Sequence, residues 1–280
     1  MEVQARLEVI SLSPALGAEI RGVDASRPID DATFATILKT WHERLVIVLR
    51  GQNLDEEAQV CFARRFGDLA PIHTTHHSAA NKAVMYIGNR KKDGKIVGAL
   101  PLGEMQFHTD QCYQERPAMG TMLYAIEIPE VGGNTLFANG YKAWEALPAD
   151  IKKKVESLKA VNVYDYEGGV LDRKKMVAPE AGVFYAHPIA RAHPQTGRKA
   201  LYVNRLMTHS IEGLPKEESD RLLSVMFETL ERPEFIYEHR WKVGDILFWD
   251  NRCTLHARRD FNPGENRWMR RVTVKGDKPR

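Results

Sequence analysis

The sequence predicts a mainly-β protein of the α+β class, in which helices pack outside a β-sandwich or barrel. Apolar residues recur with the two-residue period of strands through much of the C-terminal half. Segments with the helical period collect in the N-terminal half and the middle, which favours helices outside a sheet core. No repeat or Pro/Ser-rich linker divides the chain, so we expect residues 1–280 to form a single domain.

The N-terminal part is predicted to hold two helices separated by a strand. Asp30 or Asp31 can cap the first helix. The apolar residues that recur at helical spacing after this cap are Phe34, Ile37, Leu38 and Trp41. The β-rich run Leu45–Leu49 follows, and Asp55 then begins a second helix that Gly67 is expected to stop.

The rest of the chain is predicted to be strands and loops around three helices. The predicted strands are Ala83–Ile87, Met119–Ile128, Val183–Ile189, Ala200–Val203, Glu234–Trp241, Ile246–Trp249 and Arg270–Val274. The predicted helices are Tyr141–Leu147, Ala149–Leu158 and Pro215–Glu231. Residues 88–103 are rich in Gly, Lys and Asp and predict a loop or loose hairpin, and residues 165–182 predict a second loop.

The charge and composition limit the classes of function. The 280 residues carry 40 Lys and Arg against 37 Asp and Glu, a formal net charge of +3, and 43% of them are hydrophobic. This balance excludes a disordered or fibrous chain and does not favour a nucleic-acid or membrane partner. The longest purely aliphatic run, Leu45–Leu49, is too short to span a bilayer.

The cysteines and the N-terminus predict a cytoplasmic protein. Cys61, Cys112 and Cys253 are odd in number and form no CxxC pair, which favours free thiols in a reducing compartment. Residues 1–12 have no continuous apolar core of the signal-peptide kind. We expect a small-molecule substrate and a homo-oligomer of this chain as partners.

A His-x-Asp pair and a distant histidine suggest a metal site. In a strand, His108 and Asp110 would point to the same face. The run Trp249–His256 follows an apolar strand and ends in a third candidate ligand. Two imidazoles and one carboxylate can occupy one face of an octahedral metal, which suits non-haem Fe(II) working with O₂. The pair alone is also compatible with a surface strand that has a polar edge.

Two arginines follow the distant histidine. Arg267 and Arg271 lie eleven and fifteen residues after His256, and Arg271 stands in a predicted strand whose alternate side chains share a face. An inward guanidinium requires an anionic partner, and it binds a carboxylate through two parallel hydrogen bonds. A dicarboxylic co-substrate that chelates iron at one end could meet Arg271 at the other. A salt-bridged or solvated arginine near a basic tail is the alternative.

The order and spacing of six motifs resemble the taurine dioxygenase / 2,4-dichlorophenoxyacetate dioxygenase family of Fe(II)- and 2-oxoglutarate-dependent oxygenases. The motifs are Leu16–Asp24, Arg65–Asp68, Phe107–Asp110, Gly132–Thr135, Trp249–His256 and Arg267–Thr273. Each motif is moderately specific, but together they extend over nearly the whole chain. The fold that the resemblance implies is a double-stranded β-helix, or jelly roll, with flanking helices.

The resemblance also implies the catalytic metal and the reaction. His108, Asp110 and His256 match the iron ligands of the family. Members hydroxylate an unactivated C–H bond of a small organic anion and release succinate and CO₂. Hydroxylation beside a heteroatom gives an unstable product, which is how the family cleaves C–S or ether bonds.

The co-substrate residues are implied in the same way. Thr135, after the double glycine, matches the hydroxyl donor to the far carboxylate of 2-oxoglutarate. Arg271 matches the arginine that pairs with this carboxylate, and Arg267 matches a second arginine close to the co-substrate.

Departures from the taurine enzyme predict a different substrate. His73 matches the histidine that holds the sulfonate, with a one-residue insertion. Glu104 stands where that enzyme has an Asn that contacts the substrate amine, and Met207 replaces an aromatic residue. We therefore expect the substrate to be a larger organic anion than taurine, with a donor or cationic group at one end. The loops over 88–103 and 165–182 are expected to close over it as lids.

Two other functions fit parts of the pattern. A non-catalytic sensor of the same fold would bind metal and 2-oxoglutarate without turnover. A zinc hydrolase could use the same three ligands, but it would have no need of Thr135 together with Arg271.

Overall fold

Two β-sheets, one of seven strands and one of four, form the centre of the computed structural model, which describes residues 7–71, 81–99, 105–164, 179 and 182–280. In chain order, the strands are β1 (Glu8–Ser11), β2 (Ala18–Arg21), β3 (Val46–Leu49), β4 (Val84–Gly88), β5 (Lys91–Lys92), β6 (Lys95–Ile96), β7 (Met105–His108), β8 (Gly120–Glu127), β9 (Thr135–Asn139), β10 (Lys159–Tyr164), β11 (Val183–Pro188), β12 (Ala190–Ala192), β13 (Lys199–Leu201), β14 (Thr208–Ile211), β15 (Ile236–His239), β16 (Ile246–Asp250), β17 (Thr254–Arg258) and β18 (Trp268–Val274). The helices are α1 (Asp31–Arg44), α2 (Glu56–Arg64), α3 (Gly140–Ala146), α4 (Ala149–Val155) and α5 (Lys216–Leu230).

The large sheet has the order β1-β2-β3-β16-β8-β18-β4, and the small sheet has the order β15-β9-β17-β7. All neighbouring strands of both sheets are antiparallel except β2 and β3. Three smaller sheets have the orders β11-β10-β14, β12-β13 and β5-β6. The mainly-β class with helices is therefore confirmed.

Local sequence signals explain the two N-terminal helices. Asp30 caps α1 by accepting a hydrogen bond from the Thr33 N–H, and Asp55 caps α2 by accepting one from the Ala58 N–H. The predicted N-termini of both helices are confirmed, with Asp30 rather than Asp31 as the cap. Helix α2 ends at Arg64, a few residues before Gly67.

The three largest hydrophobic clusters are separated by the two sheets. Helices α1 and α2 cover the outer face of the large sheet, where Trp41 stacks on Phe248 with ring centroids 4.5 Å apart. Between the sheets, Phe137 of β9 packs against Trp249 of β16 at 5.4 Å. Helices α3, α4 and α5 cover the outer face of the small sheet, where Leu255 of β17 is buried. Alternate residues of β17 therefore point towards the helices and towards the large sheet.

Several predicted elements differ from the structure. The helix predicted to end at Leu158 ends at Val155, and a 3-10 turn at Pro233–Phe235 precedes β15. The predicted hairpin after β4 is confirmed as the β5-β6 pair. The second predicted loop, over 165–182, lies almost wholly outside the described residues. Among the described helices, none is long and apolar enough to cross a membrane.

Candidate metal centre and co-substrate pocket

Strand register brings two of the predicted ligands together. His108 is the last residue of β7, His256 is the central residue of β17, and the two are paired across these antiparallel strands. Their ring centroids are 4.1 Å apart, because directly opposite residues share a face of the sheet. Trp249 of the large sheet packs against His256 at 4.7 Å and closes the site from the opposite layer.

Asp110 completes the cluster from outside the strand. Strand β7 ends at His108, so the expectation that one strand carries both residues is wrong. A turn follows, in which Gln111 adopts a left-handed conformation (φ 57°). This turn places Asp110 Oδ1 3.8 Å from His256 Nε2. One candidate ligand atom from each of the three residues lies within 4.8 Å of the other two.

The charge states of the cluster suit a divalent cation. Burial lowers the pKa of His108 and of His256, so both imidazoles are neutral at neutral pH. Burial opposes ionisation of Asp110, but the Arg271 guanidinium and the two histidines hold the pKa of this carboxyl well below its usual range. Metal ligands must be deprotonated. Two neutral imidazoles and one carboxylate fit one face of an Fe(II) ion.

A backbone carbonyl sets the tautomer of His108. Its Nδ1 lies 2.9 Å from the Gln106 carbonyl oxygen, which can only accept a hydrogen bond. Nδ1 therefore carries the proton, and the lone pair of Nε2 faces the cluster.

A pocket beside this cluster is lined by His108, His256, Thr135 and three arginines. The arginines are Arg258, Arg267 and Arg271. Three guanidinium groups around one pocket create a positive potential that favours an anionic ligand.

The two predicted co-substrate arginines lie at opposite ends of the pocket. Arg271 Nη2 is 2.9 Å from Asp110 Oδ1, which places its guanidinium at the end of the pocket next to the candidate metal cluster (the metal end). Arg267 precedes Arg271 by four residues and lies just before the first residue of β18. Burial lowers the pKa of Arg267 to about 9, so it stays protonated at neutral pH. Among the described residues it has no carboxylate partner, an arrangement that suits an anionic ligand.

Thr135 lies at the Arg267 end. Thr135 precedes Phe137 by two residues on β9, and Phe137 pairs with His256. Measured along the strand direction, Thr135 is therefore about 7 Å from His256. Arg267 Nε donates to the carbonyl oxygen of Gly133, which precedes Thr135 by two residues. A side chain at Gly133, whose φ is +65°, would also meet Arg267 Cδ at 3.1 Å. The glycine thus lets Arg267 approach the start of β9.

The indole of Trp241 orients the hydroxyl of Thr135. Trp241 Nε1 donates a hydrogen bond of 3.0 Å to Thr135 Oγ1. An indole N–H can only donate, so the hydroxyl proton of Thr135 remains available for a second partner.

Of the three predicted substrate residues, Met207 lies within the part of the chain that the structure describes. Met207 is buried in a cluster with Met105, Cys112, Tyr202 and Leu206. Met105 also lines the pocket, so Met207 packs in a cluster that contacts the pocket through Met105. His73 and Glu104 lie outside the described residues.

The sequence interpretation missed Arg258 and Trp241. Arg258 lies two residues after His256 on β17 and lines the pocket. The two-residue strand period could have indicated it, since residues i and i+2 share a face. Nothing in the sequence pattern links Trp241 to Thr135.

A second buried group, His193 with Asp250 and Cys253, is structural. Asp250 Oδ1 accepts hydrogen bonds from the backbone N–H and Nε of Arg252. Asp250 Oδ2 accepts from Arg252 Nη2 and lies 3.0 Å from His193 Nε2. Both oxygens are occupied, so the group does not suit a metal. His193 is therefore a buried, hydrogen-bonded core residue.

Similarity to known proteins extends over nearly the whole chain. The sequence model of the family described as "Taurine catabolism dioxygenase TauD, TfdA family" matches residues 8–273. Pentalenolactone F synthase of Streptomyces avermitilis is 34% identical, over 95% of this chain and 92% of its own. The (S)-phenoxypropionate/alpha-ketoglutarate-dioxygenase of Sphingobium herbicidovorans is 32% identical, over 96% of this chain and 95% of its own. The crystal structure of AAD-2 in complex with Mn(II) and N-oxalylglycine has a TM-score of 0.78 at 25% identity, and the match covers 98% of this chain and 99% of that one.

Proposed function

Because the chain belongs to the taurine catabolism dioxygenase TauD, TfdA family, we propose that His108, Asp110 and His256 bind its catalytic Fe(II). The protein is an Fe(II)- and 2-oxoglutarate-dependent dioxygenase that acts on a small organic substrate. The observation that carries the ligand assignment is the convergence of two neutral imidazoles and one ionised carboxylate in the pocket. When bound, Fe(II) with 2-oxoglutarate and O₂ supplies the oxidant that hydroxylates a C–H bond, with release of succinate and CO₂.

Arg267 and Thr135 are proposed to hold the far carboxylate of 2-oxoglutarate. The family resemblance assigns this role to Arg271 and Thr135, but Arg271 contacts Asp110 at the metal end of the pocket. Arg267 approaches the start of β9, where Thr135 lies about 7 Å from the level of His256. Two methylene groups separate the chelating keto carbon of 2-oxoglutarate from its far carboxylate, which favours Arg267. The proton of Thr135 is free to donate, because its oxygen accepts from Trp241.

Arg271 is proposed to act at the metal end of the pocket. Its guanidinium neutralises Asp110 and keeps this carboxylate ionised. The same group is placed to meet an anionic group that binds beside the metal. The two arginines thus fix an anion at each end of the site, which orients the substrate against the co-substrate.

The substrate is proposed to be an organic anion larger than taurine, with an apolar body. The buried apolar cluster of Met105, Met207 and Cys112 supports this class, because Met105 lines the pocket and flexible thioether side chains adapt to an apolar ligand. Roles for His73 and Glu104, and with them a cationic end on the substrate, stay predictions. So does closure of residues 88–103 and 165–182 as lids.

The two sheets are proposed to form the double-stranded β-helix of one domain over residues 1–280. The antiparallel order of the small sheet and its packing on the large sheet through Phe137 and Trp249 support this fold. The large sheet contains strands from both ends of the chain, which supports a single domain. A homo-oligomer, a cytoplasmic location and the absence of nucleic-acid and membrane partners stay predictions.

A substrate competition tests the proposed function. The purified chain is incubated with Fe(II), ascorbate, 2-oxoglutarate and O₂, and succinate release is measured for taurine, aryloxyalkanoates, alkyl sulfates and amino-acid derivatives. We expect substrate-dependent succinate release, with the highest specificity constant for an anion other than taurine. Taurine as the best substrate would overturn the substrate class. Zinc-supported hydrolysis without O₂ would instead favour the hydrolase.

A further inference from the structure

Asp110 is the one proposed ligand whose side chain no strand fixes. His108 and His256 are held by the pairing of β7 with β17, whereas Asp110 lies in the turn beyond β7. A carboxylate has two equivalent oxygens, and either or both could face a metal. Another contact must decide which oxygen does so.

A buried chain of hydrogen bonds reaches Asp110 from the large sheet. Thr121 Oγ1 on β8 donates to Asp110 Oδ2 over 2.6 Å. Asn251 Nδ2 donates to Thr121 Oγ1 over 3.0 Å. Trp249 Nε1 on β16 donates to Asn251 Oδ1 over 2.9 Å. All four side chains are buried.

The direction of this chain follows from the donor at its far end. The indole N–H of Trp249 can only donate, so the amide oxygen of Asn251 faces it and the amide nitrogen faces Thr121. The Thr121 oxygen accepts from Asn251, and its own proton therefore points to Asp110. Asp110 Oδ2 therefore accepts the hydrogen bond from Thr121.

The other oxygen of Asp110 faces the proposed metal position. Oδ1 lies 3.8 Å from His256 Nε2 and 2.9 Å from Arg271 Nη2. Asp110 thus presents Oδ1 to the cluster, while Oδ2 is bound on the side of the large sheet.

We propose that Thr121 is a positioning residue of the metal centre. With Asn251 and Trp249 behind it, the Thr121 hydroxyl restrains Asp110 Oδ2, so that Asp110 binds the metal through Oδ1 alone. A carboxylate that binds through one oxygen leaves three positions of an octahedral ion for a chelating co-substrate and O₂. This inference rests on the proposed metal site and adds a residue that reaches it from the opposite sheet.

The test compares metal binding by Thr121→Val with that of the unchanged chain. Valine keeps the shape of threonine and removes the hydroxyl. We expect Mn(II) affinity, measured by titration without 2-oxoglutarate, to fall about 10- to 100-fold. The visible absorption of bound Co(II), which reports coordination number and geometry, should also change. Thr121→Ser keeps the hydroxyl and should restore both readouts.

Thr229→Val is the matched control. Thr229 is buried on α5, and its hydroxyl donates only within the helix, to the Val225 carbonyl oxygen. This variant should bind Mn(II) like the unchanged chain. If Thr121→Val does not fold, Thr121→Ala compared with Thr121→Ser makes the same test.

The outcomes distinguish a failure of the Thr121 role from a failure of the proposed metal site. If His256→Ala loses Mn(II) but Thr121→Val binds it with unchanged affinity and an unchanged Co(II) spectrum, the positioning role is overturned. If Mn(II) binding is the same in the unchanged chain and in His256→Ala, the proposed metal site fails first. Loss of affinity in Thr121→Ser equal to that in the valine variant would also overturn the role of the hydroxyl.

Discussion

Replacing Arg267 and Arg271 in turn by methionine should distinguish the roles proposed for the two ends of the pocket. Methionine is unbranched and removes the charge while filling much of the space. A hydrogen bond to a charged group contributes about 1.5–3 kcal/mol. Because about 1.4 kcal/mol is tenfold, Arg267→Met should weaken 2-oxoglutarate binding about 10- to 150-fold. Arg271→Met should have a smaller effect, and Thr135→Val, which removes a hydrogen bond of about 1 kcal/mol, should cost about fivefold.

The assay is equilibrium binding of 2-oxoglutarate to the Mn(II)-loaded protein, read by calorimetry. Arg270→Met is the matched control, because Arg270 lies on the opposite face of β18, where it donates to Gln59 Oε1 and to two backbone carbonyls. It should lower the free energy of unfolding without changing the affinity for 2-oxoglutarate.

The free protein gives an independent check on Arg267. Its guanidinium is buried without a described carboxylate partner, so Arg267→Met should not lower the free energy of unfolding measured without ligand. The reasoning is refuted if Arg271→Met causes the large loss of 2-oxoglutarate affinity while Arg267→Met binds normally. That result would restore the assignment made from the sequence.

Two further predictions concern the ligands and the pH dependence of stability. Succinate release should be abolished by each of His108→Ala, Asp110→Ala and His256→Ala, while circular dichroism shows an intact fold. Near-normal turnover by any of these variants would contradict the proposed set of three metal ligands. Burial lowers the pKa of His187 to about 4 in the folded protein. Below about pH 6.5 the unfolded chain therefore binds more protons at this residue than the folded chain does. From this residue alone, the free energy of unfolding should fall by about 2 kcal/mol between pH 7 and pH 5. His187→Gln should remove that loss in urea unfolding at the two pH values, and an equal pH dependence in both proteins would count against it.

The sequence determined the features that depend on neighbouring residues. Asp30 and Asp55 cap α1 and α2 because the N-cap contact spans only a few residues. The helical period of α5 appears in its amphipathic pattern, and its predicted bounds differ from the structure by one residue at each end. The candidate metal ligands could also be identified from the sequence, because a His-x-Asp pair with a distant histidine is compatible with only a few kinds of metal site.

Two strands of the small sheet, β9 and β17, were not predicted from the sequence. All five residues of β9 and all five of β17 are buried, so neither shows the alternation of apolar and polar residues that reveals a half-exposed strand. His256 was identified by its motif and not by its strand.

Only the tertiary structure decided how the site is arranged. Arg267 and Arg271 are one residue type in one short segment, and the sequence could not assign them to the two ends of the pocket. Their partners, Gly133 and Asp110, come from other elements of the fold. Thr121 gave no signal at all, because its role arises where β8 passes behind Asp110. Local patterns specify which groups are present, but distances between groups far apart in the chain are set by strand register and sheet packing.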